Sequence, residues 1–130
     1  NTPFSCTESF MKDLQKMGRK YGIRSQVHVS ETANEVPESI EEVGMPPLQY
    51  LDSIGFLEDP MMAVHCVHLT PEEIDICAEK NVSVVYNPKS NGKLGSGIAP
   101  IAELYEKGVN VCLATDGAAS NNALDMFREM

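Results

Sequence analysis

Residues 109–122, VNVCLATDGAASNN, decide how the rest of the chain is read. The stretch opens as a short apolar run and stops at Asp116-Gly117, where small and polar residues take over. That is the pattern of a buried strand feeding a loop. Alternation places Cys112, Ala114 and Asp116 on one face and Val111, Leu113 and Thr115 on the other. The Asp116 face is otherwise small, which leaves room against the carboxylate. A carboxylate at the C-terminal tip of a buried parallel strand sits where α/β folds carry their chemistry. Asp-Gly is also a common turn pair, and from this stretch alone a plain turn is the commoner outcome.

Upstream, strand and helix alternate. After a loop over 1–5, Ser5 and Glu8 have capping-box spacing and predict a helix. Phe10, Met11, Leu14 and Met17 give it a buried face, and Gly22 ends it. Further strands are expected over 23–30, 61–69 and 82–87, and the opening stretch supplies a fourth over 109–114. Helices are expected over 37–43, 47–54, 71–80 and 101–107. The third of these opens on a second capping box, Thr70-Pro71-Glu72-Glu73, with Pro at its first position. Residues 88–97, rich in Ser, Asn, Gly and Lys, read as a loop. Residues 122–130, NALDMFREM, read as the start of a helix, and the chain as a segment of a longer protein. Short, continuous apolar strands imply a parallel α/β sheet covered on both faces, joined by right-handed crossovers. No linker divides the chain, so residues 1–130 form a single segment.

A length of 130 residues suffices for one domain with a core. A net charge of −9 argues against nucleic acid as the main partner, because phosphate binding wants a basic surface. No apolar run is long enough to cross a bilayer, and there is no signal-peptide pattern. The four cysteines, Cys6, Cys66, Cys77 and Cys112, lack Cys-x-x-Cys spacing. Three lie in apolar surroundings and read as buried reduced thiols of a cytoplasmic protein. The glycine-rich 88–97 stretch lacks the spacing of a phosphate-binding loop.

The unusual polar residues collect at the C-terminal ends of the strands. His28 and Glu31 follow the first, His65 and His68 the second, Asn87, Ser90 and Asn91 the third, and Asp116 the fourth. Alone, a strand histidine is more often a hydrogen-bonded structural residue. Residues three apart on a strand face opposite ways, so His65 is expected to point inward and His68 to serve the turn. Cys66 faces away from His65 and reads as packing. Together, His28, His65 and Asp116 are the nitrogen and oxygen donors that zinc or another borderline divalent ion takes. Water acidified by such an ion attacks an electrophilic carbon, with Glu31 and His65 as proton movers.

Four stretches, VHVSET (27–32), AVHCVHL (63–69), NPKSNGKLGSGIAP (87–100) and LATDGAASNNALDMF (113–127), resemble the metal-dependent amidohydrolase superfamily. Within it they are most similar to the methylthioadenosine/adenosylhomocysteine deaminases and their chlorohydrolase-like relatives. The resemblance implies the C-terminal half of a (β/α)8 TIM-type barrel, with about four parallel strands and crossover helices. It implies His28 and Asp116 as metal ligands. It gives Glu31 and His65 contacts to the substrate and proton-transfer roles, with Asp116 also as base. The metal is expected to be zinc, with iron, manganese or nickel as the other candidates. The implied reaction is hydrolytic deamination of an adenosine-type purine nucleoside, releasing ammonia. Guanine deaminase and triazine-type hydrolase activities are the alternatives within the superfamily. The family's His-x-His pair is not in this sequence, and Asn1 stands where relatives often carry a histidine that touches substrate. A third reading is an inactive half-barrel whose open sheet edges self-associate into a homo-oligomer.

Overall fold

Four parallel strands carry the architecture: β1 (Ser25–Val29), β2 (Met61–His65), β3 (Ser83–Tyr86) and β4 (Val111–Leu113). They lie side by side in chain order, so every connection is a crossover of the same kind. The register pairs Val29 with His65 across β1 and β2, and Tyr86 with Leu113 across β3 and β4. The strand ends that bear polar residues therefore lie along one rim. The computed structural model describes residues 3–130, apart from the side chain of Phe4. Asn1 and Thr2, the first two positions of the expected opening loop, lie outside the described residues, and Pro3–Ser5 form a short 3-10 turn.

Six helices connect the strands: α1 (Glu8–Tyr21), α2 (Glu35–Val43), α3 (Pro47–Ser53), α4 (Pro71–Glu79), α5 (Pro88–Leu94) and α6 (Ile101–Glu106). They cover one face of the sheet, not both. On that face Val27, Val29, Ala63 and Val84 are buried against Met11, Leu51, Cys77 and Leu104 of the helices. On the other face Gln26 and Cys112 are exposed, His28, Met62 and Val85 are half-buried, and Val64 is buried. Continuous apolar strands thus signal burial by helices on one side only; the second side is the face that carries His28.

Several local expectations are corrected. Thr7, not Ser5, caps α1, and its hydroxyl accepts the N–H of Phe10. Within α1 only Met11 and Gln15 are buried, and Phe10, Leu14 and Met17 are 46%, 37% and 57% exposed. Periodicity fixes which residues share a face, not what lies against it. Leu14 and Met17 instead line an open groove with Tyr21, Ile23 and Phe56. All four strands are shorter than their apolar runs. Residues 88–97 contain helix α5, begun by Pro88 at the first helical position and closed by Gly95 in the left-handed region. The C-terminal stretch forms only a 3-10 turn, Met126–Arg128. Cys66 and Cys77 are buried, but Cys112 is exposed because β4 is an edge strand. All four thiols are free, and burial pushes the Cys77 thiol up to about 12. No helix among the described residues is long and apolar enough to cross a membrane.

The capping box at Thr70 forms as expected, and its acidic member does more than cap. Glu73 is fully buried; one carboxylate oxygen accepts the Thr70 N–H at 2.9 Å and the other accepts the Leu48 N–H of α3 at 2.8 Å. Glu73→Ala removes the cap and leaves a buried amide unpaired, a loss of about 2–4 kcal/mol. Thermal unfolding should register that fall, with Glu73→Gln retaining more stability because it keeps an acceptor. Equal melting temperatures for Glu73→Ala and the parent would rule out this tie between α3 and α4.

Candidate active site

Three of the strand tips turn sharply through the left-handed region. Ser30 after β1, His65 and Cys66 at the end of β2, and Asp116 after β4 have φ of 49°, 72°, 51° and 60°. None is glycine, so the backbone there is strained and must be held by its surroundings. The turn at His65 ends β2 before His68. His68 Nε2 then donates to the Ser96 carbonyl at 2.8 Å, in the structural role expected of it. Gly97 follows, where an added Cβ would meet Val67 Cγ1 at 3.0 Å. Cys66 points into the hydrophobic core.

The turns bring His28, His65 and Asp116 together. One donor atom from each lies within 4.8 Å of the other two, and the His28 and His65 ring centres are 5.2 Å apart. Asp116 does not reach this point by strand alternation, since β4 stops at Leu113; the left-handed turn at Asp116 itself aims the side chain. Glu31 closes the group, with Oε2 3.4 Å from His65 Nε2. His65 is 1% exposed, whereas Glu31 keeps 20% of its side chain open to solvent. The expected site residues are therefore assembled from β1, β2 and the loop after β4.

Each group has a distinct electrostatic setting. Burial pushes the Asp116 carboxyl up, but hydrogen bonds from Ser120, Ser90 and the Gly117 amide lead the opposing effects, which together outweigh it. The carboxyl is held below its ordinary range and is ionised at neutral pH. Both hydroxyls donate to the same oxygen, Oδ2, at 2.5 Å from Ser120 and 2.6 Å from Ser90. On His65, Nδ1 lies 2.8 Å from Asn91 Oδ1 and 3.3 Å from Asn87 Nδ2. These contacts are mutually exclusive, because a protonated Nδ1 donates to the first and a bare Nδ1 accepts from the second. The shorter one selects the Nδ1–H tautomer, which leaves the Nε2 lone pair facing Glu31 and the cluster.

This donor set fits a divalent ion. It offers imidazole nitrogen and an ionised carboxylate, the ligand types of catalytic zinc. The Asn91 contact fixes the His65 tautomer and leaves its Nε2 facing the same cluster.

Sequence reasoning leaves Asn87, Ser90 and Asn91 without roles and does not single out Ser120. The signal for the first three is the Asn87-Pro88 start of α5, a helix opening that a Ser- and Gly-rich composition obscures.

The sequence matches the amidohydrolase family over residues 1–130. It is 47% identical over its whole length to a 5-methylthioadenosine/S-adenosylhomocysteine deaminase of Caldanaerobacter subterraneus subsp. tengcongensis. It is 49% identical over its whole length to a 5'-deoxyadenosine deaminase of Methanothermobacter thermautotrophicus. The chain spans about 30% of the length of each of these relatives. Among solved structures, an adenosine deaminase from Xanthomonas campestris with bound zinc superposes with a TM-score of 0.93 at 41% identity, covering 98% of this chain and 29% of that one. The four strands and their helices are thus one segment of a (β/α)8 barrel.

Proposed function

Because the chain belongs to the amidohydrolase family, we propose that it supplies the C-terminal half of the active site of a metal-dependent deaminase acting on adenosine-type nucleosides. The observation that carries this reading is the convergence of His28, His65 and Asp116, with Glu31 beside them. His28 and Asp116 would hold the ion, most simply zinc. Such an ion would supply an acidified water and a stabilising positive charge. Asp116, ionised and fixed by two hydroxyls, would take a proton from the attacking water and return it to the departing amino group, which leaves as ammonia. His65 orients that water through its Nε2 lone pair. Glu31 carries a proton to the purine ring, and its partial exposure lets it exchange with solvent. The half-buried His28 face of the sheet receives the base.

The two relatives' names share an adenosine base and differ at the 5′ substituent. The proposal therefore commits to the 6-aminopurine and leaves the 5′ group open. Reduced thiols and the acidic balance support a cytoplasmic protein with a small-molecule substrate. The open edges β1 and β4 support self-association when this segment stands alone.

Ammonia release from 5′-substituted adenosines, set against guanine and triazine substrates, tests the proposal. The metal-replete whole protein should turn over the adenosines fastest, and a chelator should abolish that turnover. No ammonia from any adenosine with metal present would sink it.

A further inference from the structure

Strand β3 has β2 on one side and β4 on the other. The helix that follows it, α5, therefore stands between the tips that present His65 and Asp116. Two consecutive residues of α5 reach these two tips. Ser90 donates to Asp116 Oδ2 at 2.6 Å, and Asn91 accepts from His65 Nδ1 at 2.8 Å. Neighbours on a helix point about 100° apart, so one residue can serve each side. Both are fully buried.

The helix itself is tied down. Asn91's carbonyl accepts the N–H groups of Gly95 and Ser96, and its own N–H goes to the Asn87 carbonyl at 2.9 Å. The Lys89 N–H donates to Glu129 at 3.1 Å, and Lys93 Nζ reaches the Ala119 carbonyl at 3.0 Å. Asn87 Oδ1 and Asn91 Nδ2 are buried with no hydrogen-bond partner among the described residues. Leaving such groups unpaired costs about 1–3 kcal/mol each. Asn91 is thus placed for its contact with His65 rather than for its own satisfaction.

We infer that Ser90 and Asn91 act as one positioning yoke that fixes Asp116 and His65 relative to each other. Neither touches the reacting atoms. Ser90 aims the carboxylate, and Asn91 keeps the proton on Nδ1 so that Nε2 faces the site. The inference rests on the deaminase reading for its kinetic consequence but not for its geometry.

The test uses Ser90→Ala, Asn91→Ala, the double variant and the conservative Ser90→Thr and Asn91→Asp in the metal-replete whole protein. Each alanine variant should lower kcat roughly 10–100-fold with KM nearly unchanged. The double variant should fall little further than the worse single, because residues acting as a unit are not additive. Ser90→Thr should restore most of the rate. In nitrogen NMR of the histidine rings, the His65 Nδ1–H signal should persist in Asn91→Asp and vanish or exchange rapidly in Asn91→Ala. Fully multiplicative losses, or an unchanged Nδ1–H signal in Asn91→Ala, would overturn the yoke. If no substrate is deaminated, the NMR result still decides the Asn91 arm, so failure of the function and failure of the yoke are told apart.

Discussion

Asp116→Asn should reduce kcat at least about a thousandfold, near the upper range for removing a positioned base. The substitution preserves shape: an asparagine oxygen can still accept from Ser90 and Ser120, whose hydroxyls lie 2.6 Å and 2.5 Å from Oδ2. What it removes is charge. A neutral amide takes no proton from water near neutral pH and binds a divalent ion more weakly, so metal content should fall together with rate. The pH sense follows from the depressed carboxyl. A group with a lower folded than unfolded pKa adds stability above the unfolded value and loses it as pH falls through the folded one. Acidification through the carboxylate range should therefore narrow the stability gap between parent and Asp116→Asn. A D116N variant that kept a tenth or more of the parental rate would remove Asp116 from the role of base.

Glu31→Gln should cost about 100–10,000-fold in kcat while leaving metal content intact. That split separates it from Asp116→Asn. Glu31 lies 3.4 Å from His65 Nε2 and belongs to no ligand cluster with His28 and Asp116 among the described residues. Glutamine fills the same space and can still hydrogen-bond, but it cannot carry a proton from solvent to the ring. Elemental analysis beside steady-state kinetics checks both halves of the expectation. A parallel loss of metal would make Glu31 a ligand instead, and an unchanged kcat would leave proton delivery to another group.

Much of this site is legible in the chain because its members sit where apolar runs stop. His28, His65 and Asp116 each punctuate a strand, and the alternation of strand and helix puts such points on one rim. The route to the site is less legible. Strand alternation aims Asp116 correctly only by coincidence, since β4 ends at Leu113 and a left-handed residue performs the aiming. Such turns leave little trace when the residue is not glycine. The exposed side of α1 misleads for a related reason: Leu14 and Met17 recur like core residues, and nothing local reveals that no described segment packs over them. Helix α5 is hidden by residues such as Ser90 and Asn91, which weaken helices in isolation and are kept here for their contacts with Asp116 and His65.

The strained residues at the strand tips set two selective pressures against each other. Ser30, His65, Cys66 and Asp116 each hold a backbone geometry that costs about 1–2 kcal/mol for a non-glycine residue. Glycine would relieve that backbone cost, but at His65 and Asp116 it would also delete a side chain of the proposed site, and at Ser30 and Cys66 it would loosen the rim beside them. Stabilising substitutions are therefore expected away from the rim, in the helical layer behind the sheet where Leu48, Leu51 and Leu104 are buried.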